Sequence, residues 1–161
     1  MSINLKTQMK SGDFHTVISA KTNMATVFNA KGEKQFSFQA FPWGQHADWH
    51  ATNGDTPPGL YKAGIIYTQV RGRDSNAICN AYGPKCIDLI DLEGQERDNG
   101  RDGVSIHGGG SGLPDPWADY QALTYTHGCV RVHNKDLTDK LVPLIEKTQK
   151  AGFTFYVTVL R

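Results

Sequence analysis

Short segments with the residue pattern of β-strands recur along most of the chain. Lys34–Ala40 alternates between polar and apolar residues, and Phe153–Leu160 is rich in β-branched and aromatic residues. Such patterns are typical of strands with one buried face. Further strands are predicted over 14–20, 24–28, 61–70 and 104–107, and 86–92 fits either a strand or a short helix. The chain is therefore predicted to be mainly β, built as a β-sandwich or a mixed sheet.

One segment near the C-terminus has the periodicity of a helix. Asn134 or Asp136 can cap its first turn, and Gly152 follows its end at about Lys150. Its apolar side chains share one face, at Leu137, Leu141, Leu144 and Ile145. Pro143 lies inside this pattern, and because proline lacks an N–H group it is expected to kink or divide the helix. The sequence thus predicts one principal helix.

Several segments between the predicted strands lack a regular period. Phe41–Asp55 is interpreted as a surface loop held by its two tryptophans, although its histidines and tryptophans could also line a cleft. Asp55–Tyr61 contains two consecutive prolines and is predicted to be a rigid turn outside the central sheet. Arg71–Lys85 and Glu93–Arg101 are predicted to be loops.

The length and charge of the chain limit its organisation and its partners. Its 161 residues fit one domain, predicted over 14–161 after an N-terminal extension of 1–13. The net charge of +1 gives no reason to expect nucleic acid, and no apolar run approaches the roughly 18–20 residues of a membrane span. The first ten residues lack the apolar core of a signal peptide. The chain is therefore expected to stay in the cytoplasm, to be exported by another route, or to have lost a leader.

The segment Thr126–Asn134 concentrates reactive side chains. It contains Cys129 with His127 and Arg131 close by, and His107 lies upstream in a His-Gly pair. A cysteine is a good nucleophile only as the thiolate, so it needs a neighbouring base or a positive field. His107 could be that base and Arg131 that field. The sequence therefore predicts a working thiol at Cys129.

The other two cysteines flank a turn signal. Cys79 and Cys86 are seven positions apart around Gly83-Pro84. The simplest interpretation of three cysteines is that these two form a disulfide and that Cys129 is free. The alternative is two unpaired thiols in a reducing compartment, and a zinc site is disfavoured because no second Cys/His pair with suitable spacing accompanies them.

These motifs together resemble the L,D-transpeptidase catalytic domain of the YkuD type. The resemblance rests on Ile106-His107-Gly108, on Thr126-His127-Gly128-Cys129-Val130-Arg131, and on the earlier segment Thr56-Pro-Pro-Gly-Leu-Tyr61. The order of these pieces matches over about 14–160. The 22 positions from His107 to Cys129 are more than the family leads us to expect, so an insertion within 109–125 is predicted to reshape the substrate cleft.

The resemblance implies roles for the residues of the motif. Cys129 is the expected nucleophile and His107 its proton acceptor, and the two could work as a thiolate–imidazolium pair, with the carbonyl of Gly108 orienting the imidazole. The N–H groups of Gly128 and Cys129 are expected to bind the oxyanion. His127 is interpreted as a supporting residue more than a catalyst, and His133 as structural. Three side chains are candidates for substrate binding: Arg131 through a carboxylate, and Trp117 and Tyr120 as a cover that could equally fill the core of the loop.

The implied reaction is acyl transfer on peptidoglycan tetrapeptide stems without a cofactor or metal. Loss of the terminal D-alanine would leave a thioester, which an amine converts to a 3→3 cross-link or an exchanged stem and water converts to a trimmed stem. The site of action would be the periplasm or cell wall. An antibacterial effector with the same chemistry would add secretion machinery and an immunity protein as partners.

Two other hypotheses about function start from the same residues. A catalytically dead wall- or metal-binding module could use His107, His127, Cys129 and His133 as zinc-type ligands. A papain-like or NlpC-type cysteine peptidase typically places the cysteine before the histidine, whereas here His107 precedes Cys129.

Overall fold

A computed structural model describes residues 8–98 and 100–161 of the chain. Residues 1–7 of the predicted N-terminal extension lie outside the described residues. Its last residue, Asp13, is already part of the fold, because it is buried and its Oδ1 accepts a hydrogen bond from the Thr154 N–H at 2.8 Å.

Eight strands form one mixed sheet that closes on itself as a barrel, in the order β1-β2-β3-β7-β6-β5-β4-β8. The strands are β1 Phe14–Ser19, β2 Met24–Asn29, β3 Lys34–Phe41, β4 Gly59–Thr68, β5 Lys85–Asp91, β6 Ser105–His107, β7 Val130–Val132 and β8 Phe155–Leu160. The β1–β8 and β6–β7 pairs are parallel and the others are antiparallel. The mainly β prediction is confirmed, with a closed mixed sheet as its form.

The strand predictions are close, with three informative differences. The segment 86–92, which fits either a strand or a helix, is a strand up to Asp91, where β5 ends. Gly59 and Leu60 follow the two prolines and already pair with β8, so the predicted rigid turn ends inside a strand that has neighbours on both sides. Strand β7 is not predicted, because three residues are too few to establish a period.

The core lies inside the closed sheet and beneath the C-terminal helix. Alternate residues of the strands point inward, and this set includes the fully buried Ile18, Val27, Ile87, Ile106, Val130, Val132 and Val157. Leu137, Leu141 and Ile145 of the C-terminal helix pack into the same cluster. Burying an aliphatic side chain of this size contributes about 1.5–3 kcal/mol each.

The C-terminal helix is divided as Pro143 predicts. It consists of α3 (Asn134–Asp136), a π-helical turn (Leu137–Leu141) and α4 (Val142–Lys150). The Val142 N–H bonds to the Leu137 carbonyl, which is the wider spacing of a π-turn. Proline has no N–H and clashes with the carbonyl four residues earlier, so a widened turn just before Pro143 accommodates it.

Two further helices occupy predicted loops, α1 (Asn76–Tyr82) and α2 (Gln95–Asp98). The prediction of a loop over 71–85 is wrong for α1. Ser75 caps this helix by accepting a hydrogen bond from the Ile78 N–H at 3.2 Å, and Gly83 ends it with a φ of 71°. No helix among the described residues is long and apolar enough to cross a bilayer.

Candidate active site

The candidate site lies on the outer face of the sheet, where β6 and β7 run side by side. In this parallel pair Ile106 is opposite Val130 and His107 is opposite Arg131. Ile106 and Val130 point into the core. Because successive side chains of a strand point to opposite faces, His107, Arg131 and the preceding Cys129 share the outer face. The pairing of β6 with β7 thus brings the two sequence motifs together.

A cavity of about 250 Å³ opens over this face of the sheet. Its lining comprises Gln45, Ala81, Tyr82, His107, Ser111, Tyr125, Thr126, His127, Cys129 and Arg131. The predicted nucleophile and its predicted base therefore share one cavity. The loop 41–55 contributes Gln45 to it, whereas Trp43 and Trp49 hold the guanidinium of Arg161 at 5.2 and 4.8 Å from their ring centroids.

The imidazole of His107 has a defined orientation and tautomer. The residue is buried, and its Nδ1 lies 2.8 Å from the carbonyl oxygen of Gly108. A carbonyl oxygen only accepts, so Nδ1 carries the proton and Nε2 is unprotonated in the neutral ring. Burial lowers the pKa of His107 to about 4, the Gly108 hydrogen bond opposes this, and the charge of Arg131 adds to the lowering. The predicted contact with the Gly108 carbonyl is thus present.

The thiol of Cys129 is half-buried, with its Sγ 3.6 Å from the carbonyl oxygen of Gly103. Burial raises the pKa of Cys129 to about 11, although a main-chain hydrogen bond at Ser105 and the charges of Arg131 and Arg101 lower it. At pH 7 the free protein therefore holds a neutral thiol and a neutral imidazole. Both shifts favour the neutral pair over the thiolate–imidazolium pair that the resemblance implies.

Two threonine hydroxyls hold the turn at Gly128. Thr126 Oγ1 accepts a hydrogen bond from the Gly128 N–H at 2.9 Å and donates one to the Cys129 carbonyl at 2.8 Å. Thr56 Oγ1 donates to the Gly128 carbonyl at 2.9 Å, which connects the Thr-Pro segment to the cysteine motif. The Gly128 N–H is thus committed to Thr126, contrary to the prediction that it is free to bind an oxyanion.

Arg131 joins the segments that surround the cavity. Its Nη1 donates to Thr124 Oγ1 at 2.7 Å and to the carbonyls of Thr124 and Tyr125 at 3.2 and 3.1 Å. Its Nη2 donates to the Ala81 carbonyl at 3.1 Å, and its Nε to the Gly108 carbonyl at 3.3 Å. The Gly108 carbonyl therefore orients His107 and accepts from Arg131 at once. A contact of Arg131 with a substrate carboxylate stays a prediction.

Arg101 also borders the site, although no sequence motif marks it. Its Nη1 donates to the carbonyls of Trp49 and Asp55 at 2.6 and 3.2 Å. Its Nη2 donates to the carbonyls of Gly54 and His127 at 3.2 and 3.4 Å. The only sequence signal is its place just before the predicted strand 104–107.

The long segment 108–126 is anchored by Asn134 and Gln121. Asn134 Oδ1 accepts from the Gly109 N–H at 3.0 Å, and its Nδ2 donates to the carbonyls of Pro116 and Ala118 at 2.8 Å each. Gln121 Oε1 accepts from the Asn134 N–H at 3.0 Å. The sequence predicts that Asn134 or Asp136 caps this helix, but the side chain of Asn134 does not do so. Instead, the long segment caps the first turn, and Asn134 holds that segment in place.

Trp117 and Tyr120 lie outside the lining of this cavity, which includes Tyr82 and Tyr125 instead. Trp117 Nε1 donates to the Cys79 carbonyl at 2.7 Å, so the indole attaches the long segment to α1. Tyr120 is exposed and meets the ring of His133 edge-on, with 5.5 Å between ring centroids.

All three cysteines are free thiols, so the predicted disulfide between Cys79 and Cys86 is wrong. Cys79 lies on α1 with its Sγ 4.0 Å from the Asp74 carbonyl. Cys86 lies on β5 opposite His107, where burial raises the pKa of its thiol and the neighbouring side chain of Ser105 opposes that rise. The two sulfurs are thus directed to different partners.

The residues proposed as zinc-type ligands do not form a common site. His133 Nε2 lies 2.8 Å from Gln39 Oε1, and His127 is an exposed part of the cavity lining. Within residues 8–98 and 100–161, no three His, Cys, Asp or Glu side chains converge in a group that could hold a metal ion.

Comparison with known proteins identifies one family. The family model of the YkuD L,D-transpeptidase catalytic domain matches residues 13–141, which contain all the motif residues described above. No curated protein matches the sequence.

Solved structures share the fold of the chain at low sequence identity. Bd1075 of Bdellovibrio bacteriovorus superimposes with a TM-score of 0.62 at 19% identity, covering 91% of this chain and 47% of that one. The helical cell shape determining protein Pgp2 of Campylobacter jejuni gives 0.61 at 18% identity, covering 91% and 46%. An L,D-transpeptidase of Stackebrandtia nassauensis gives 0.57 at 16% identity, covering 96% and 58%. The chain thus spans about half the length of these structures.

Proposed function

The chain belongs to the YkuD family of L,D-transpeptidase catalytic domains, and we propose that it modifies peptidoglycan by acyl transfer through Cys129. The observation that carries this proposal is the shared cavity of Cys129 and His107, in which the tautomer of His107 leaves Nε2 free to accept a proton. The substrate class is a tetrapeptide stem, and the bond cleaved joins its third residue to the terminal D-alanine.

The first half-reaction forms a thioester and begins from the neutral pair. Sγ of Cys129 attacks the carbonyl carbon of the third stem residue while its proton passes to Nε2 of His107. When the tetrahedral intermediate collapses, the C–N bond breaks and His107 returns the proton to the nitrogen of the leaving D-alanine. Proton transfer during the attack avoids a buried thiolate in the free protein, which the raised pKa of Cys129 disfavours.

The oxyanion of this intermediate needs donors that are already in place. The Gly128 N–H is occupied by Thr126, so we assign this role to the N–H of Cys129. Removing one such donor typically raises a barrier by about 3–4 kcal/mol. Thr126 and Thr56 fix the carbonyls and the N–H around this peptide turn, which keeps the Cys129 N–H aimed at one point.

The second half-reaction transfers the acyl group to an acceptor. A side-chain amine of another stem, a free D-amino acid or water attacks the thioester, and its proton passes to His107. When the C–S bond breaks, His107 gives that proton to the sulfur, which restores the thiol and the neutral imidazole. The products are a 3→3 cross-link, an exchanged stem or a trimmed stem. The periplasm or cell wall is the proposed site of action, and a secreted effector would use the same residues.

Mass spectrometry of the intact protein with a tetrapeptide stem tests this proposal. We expect release of D-alanine and a thioester adduct on Cys129, both lost in Cys129→Ala and kept in Cys79→Ala, which removes a buried thiol outside the cavity. Product masses then separate cross-linking, exchange and trimming. An intact stem with unmodified protein would refute the enzyme and leave a wall-binding module, which retention of the folded protein on peptidoglycan would detect.

A further inference from the structure

Arg101 occupies an unusual position beside the cysteine motif. Its guanidinium lies among four main-chain carbonyls, of which Trp49, Gly54 and Asp55 belong to the loop 41–55 and the fourth is His127. One guanidinium group therefore joins that loop to the residue two places before Cys129. Arginine is suited to this arrangement because it offers several donors in a fixed geometry.

The guanidinium also packs directly against Gly128. A Cβ on Gly128 would overlap Nη2 of Arg101 and would lie 3.0 Å from the Gly54 carbonyl oxygen. Gly128 has a φ of 119°, which other residues rarely adopt. Arg101 thus requires glycine at the position before the nucleophile, and it closes one side of the turn that presents Cys129.

We propose that Arg101 is a positioning residue for the nucleophile, which fixes the Gly128 turn and places a positive charge where the ionised sulfur forms. This inference deepens the proposed function and rests on it. Arg101 is a second positive group at this site besides Arg131, which lines the cavity. Both guanidinium groups are held by main-chain carbonyls, and that of Arg101 packs against the residue before Cys129.

The electrostatics of the site support this arrangement. Burial alone makes the ionised sulfur of Cys129 costly, and the charges of Arg131 and Arg101 both lower the pKa of the thiol against that effect. A cation near a cysteine raises the thiolate fraction and with it the rate of nucleophilic attack.

The pH dependence of Cys129 alkylation by iodoacetamide measures the charge effect without any peptidoglycan substrate. Below the thiol pKa the rate follows the thiolate fraction, so a rise of one pKa unit slows alkylation about tenfold. We expect Arg101→Met to slow it about three- to tenfold at pH 7–9. Arg71→Met is the matched control, because Arg71 is an exposed cation over the ring of Trp117 and should leave the rate unchanged.

Arg101→Lys separates position from charge. Lysine keeps the charge but cannot bond four carbonyls, so alkylation should stay within about twofold of the wild type while release of D-alanine from a tetrapeptide falls at least tenfold. Thermal denaturation identifies any variant that does not fold. If Arg101→Met does not fold, the measurements on Arg101→Lys test the inference.

Two outcomes would overturn the inference. Unchanged alkylation in a folded Arg101→Met protein excludes the charge effect, and unchanged D-alanine release in Arg101→Lys excludes the positioning role. If the wild type alkylates normally but releases no D-alanine, the proposed function fails, while the alkylation comparison still decides whether Arg101 acts on the thiol.

Discussion

Replacing Asn134 by alanine should destabilise the protein strongly, because two buried main-chain groups and a third, partly buried one depend on this side chain. They are the Gly109 N–H, bonded at 3.0 Å, and the carbonyls of Pro116 and Ala118, each bonded at 2.8 Å. A buried polar group that loses its partner costs about 1–3 kcal/mol. Water will reach some of these groups once the segment loosens, so we expect a loss of about 3–5 kcal/mol in the free energy of unfolding.

Asn29→Ala is the matched control, because Asn29 also makes three side-chain hydrogen bonds. Its Nδ2 donates to Glu33 at 3.2 Å, and its Oδ1 accepts from the N–H groups of Lys31 and Glu33 at 3.0 and 2.9 Å. These bonds are exposed, so water replaces them and the expected loss is about 0.5 kcal/mol or less. The two variants therefore have the same number of lost bonds and differ in burial.

Thermal and chemical denaturation of the two variants provide the measurement. A loss of 3–5 kcal/mol corresponds to a drop of roughly 10 °C in melting temperature for a chain of this size. Asn134→Asp keeps the size of the side chain but faces the carbonyls of Pro116 and Ala118 with a second oxygen, so it should cost at least as much as Asn134→Ala. Equal losses in Asn134→Ala and Asn29→Ala would refute the argument that Asn134 holds the long segment.

Three further predictions concern Gly128 and His107 of the site and Glu96 of α2. Gly128→Ala should lower the free energy of unfolding by about 2–4 kcal/mol, and Gly112→Ala by about 1–2 kcal/mol. Gly112 is the control because it shares the positive φ but has open space around it. Equal losses would contradict the packing of Arg101 on Gly128. Burial and nearby carboxylates raise the pKa of Glu96 to about 7, so Glu96 destabilises the folded state increasingly as pH rises from 4.5 through 7. Glu96→Gln should therefore stabilise the protein by about 1 kcal/mol at pH 8, after allowance for solvent screening of this half-exposed group, and by almost nothing at pH 4. His107 has a pKa of about 4, so about nine-tenths of it should still be unprotonated at pH 5. Protonation of His107 should therefore cause no loss of kcat/KM between pH 7 and pH 5. A fall in kcat/KM below pH 6.5 that is absent from His107→Gln would contradict this.

The sequence predicts most strands and both halves of the site, because each rests on a local pattern. The alternation of Lys34–Ala40 is visible within seven residues, and it belongs to β3 as expected. The motifs around His107 and Cys129 share one cavity because β6 and β7 pair in parallel. That pairing is a contact between segments far apart in the sequence. The family resemblance predicts that the two motifs meet, whereas the periodicity of the residues does not.

The features that sequence reasoning missed depend on contacts between distant segments. Helix α1 is short, and its capping serine and terminal glycine lie in a segment whose polar residues favour a loop. The acceptors of Arg101 are carbonyls up to 52 positions away, which no motif encodes. The disulfide between Cys79 and Cys86 follows from counting cysteines, but the count does not include the direction in which each side chain points.

The geometry explains why small and hydroxyl-bearing residues surround the two reactive side chains. A Cβ on Gly108 would overlap the Asn134 amide oxygen that anchors the long segment, and a Cβ on Gly128 would overlap Arg101. The hydroxyl of Thr126 satisfies one donor and one acceptor of the turn that presents Cys129. Each of these residues is fixed by a neighbour that holds a loop over the outer face of the sheet. The motif therefore reflects the close packing by which these loops are held over the outer face of the sheet.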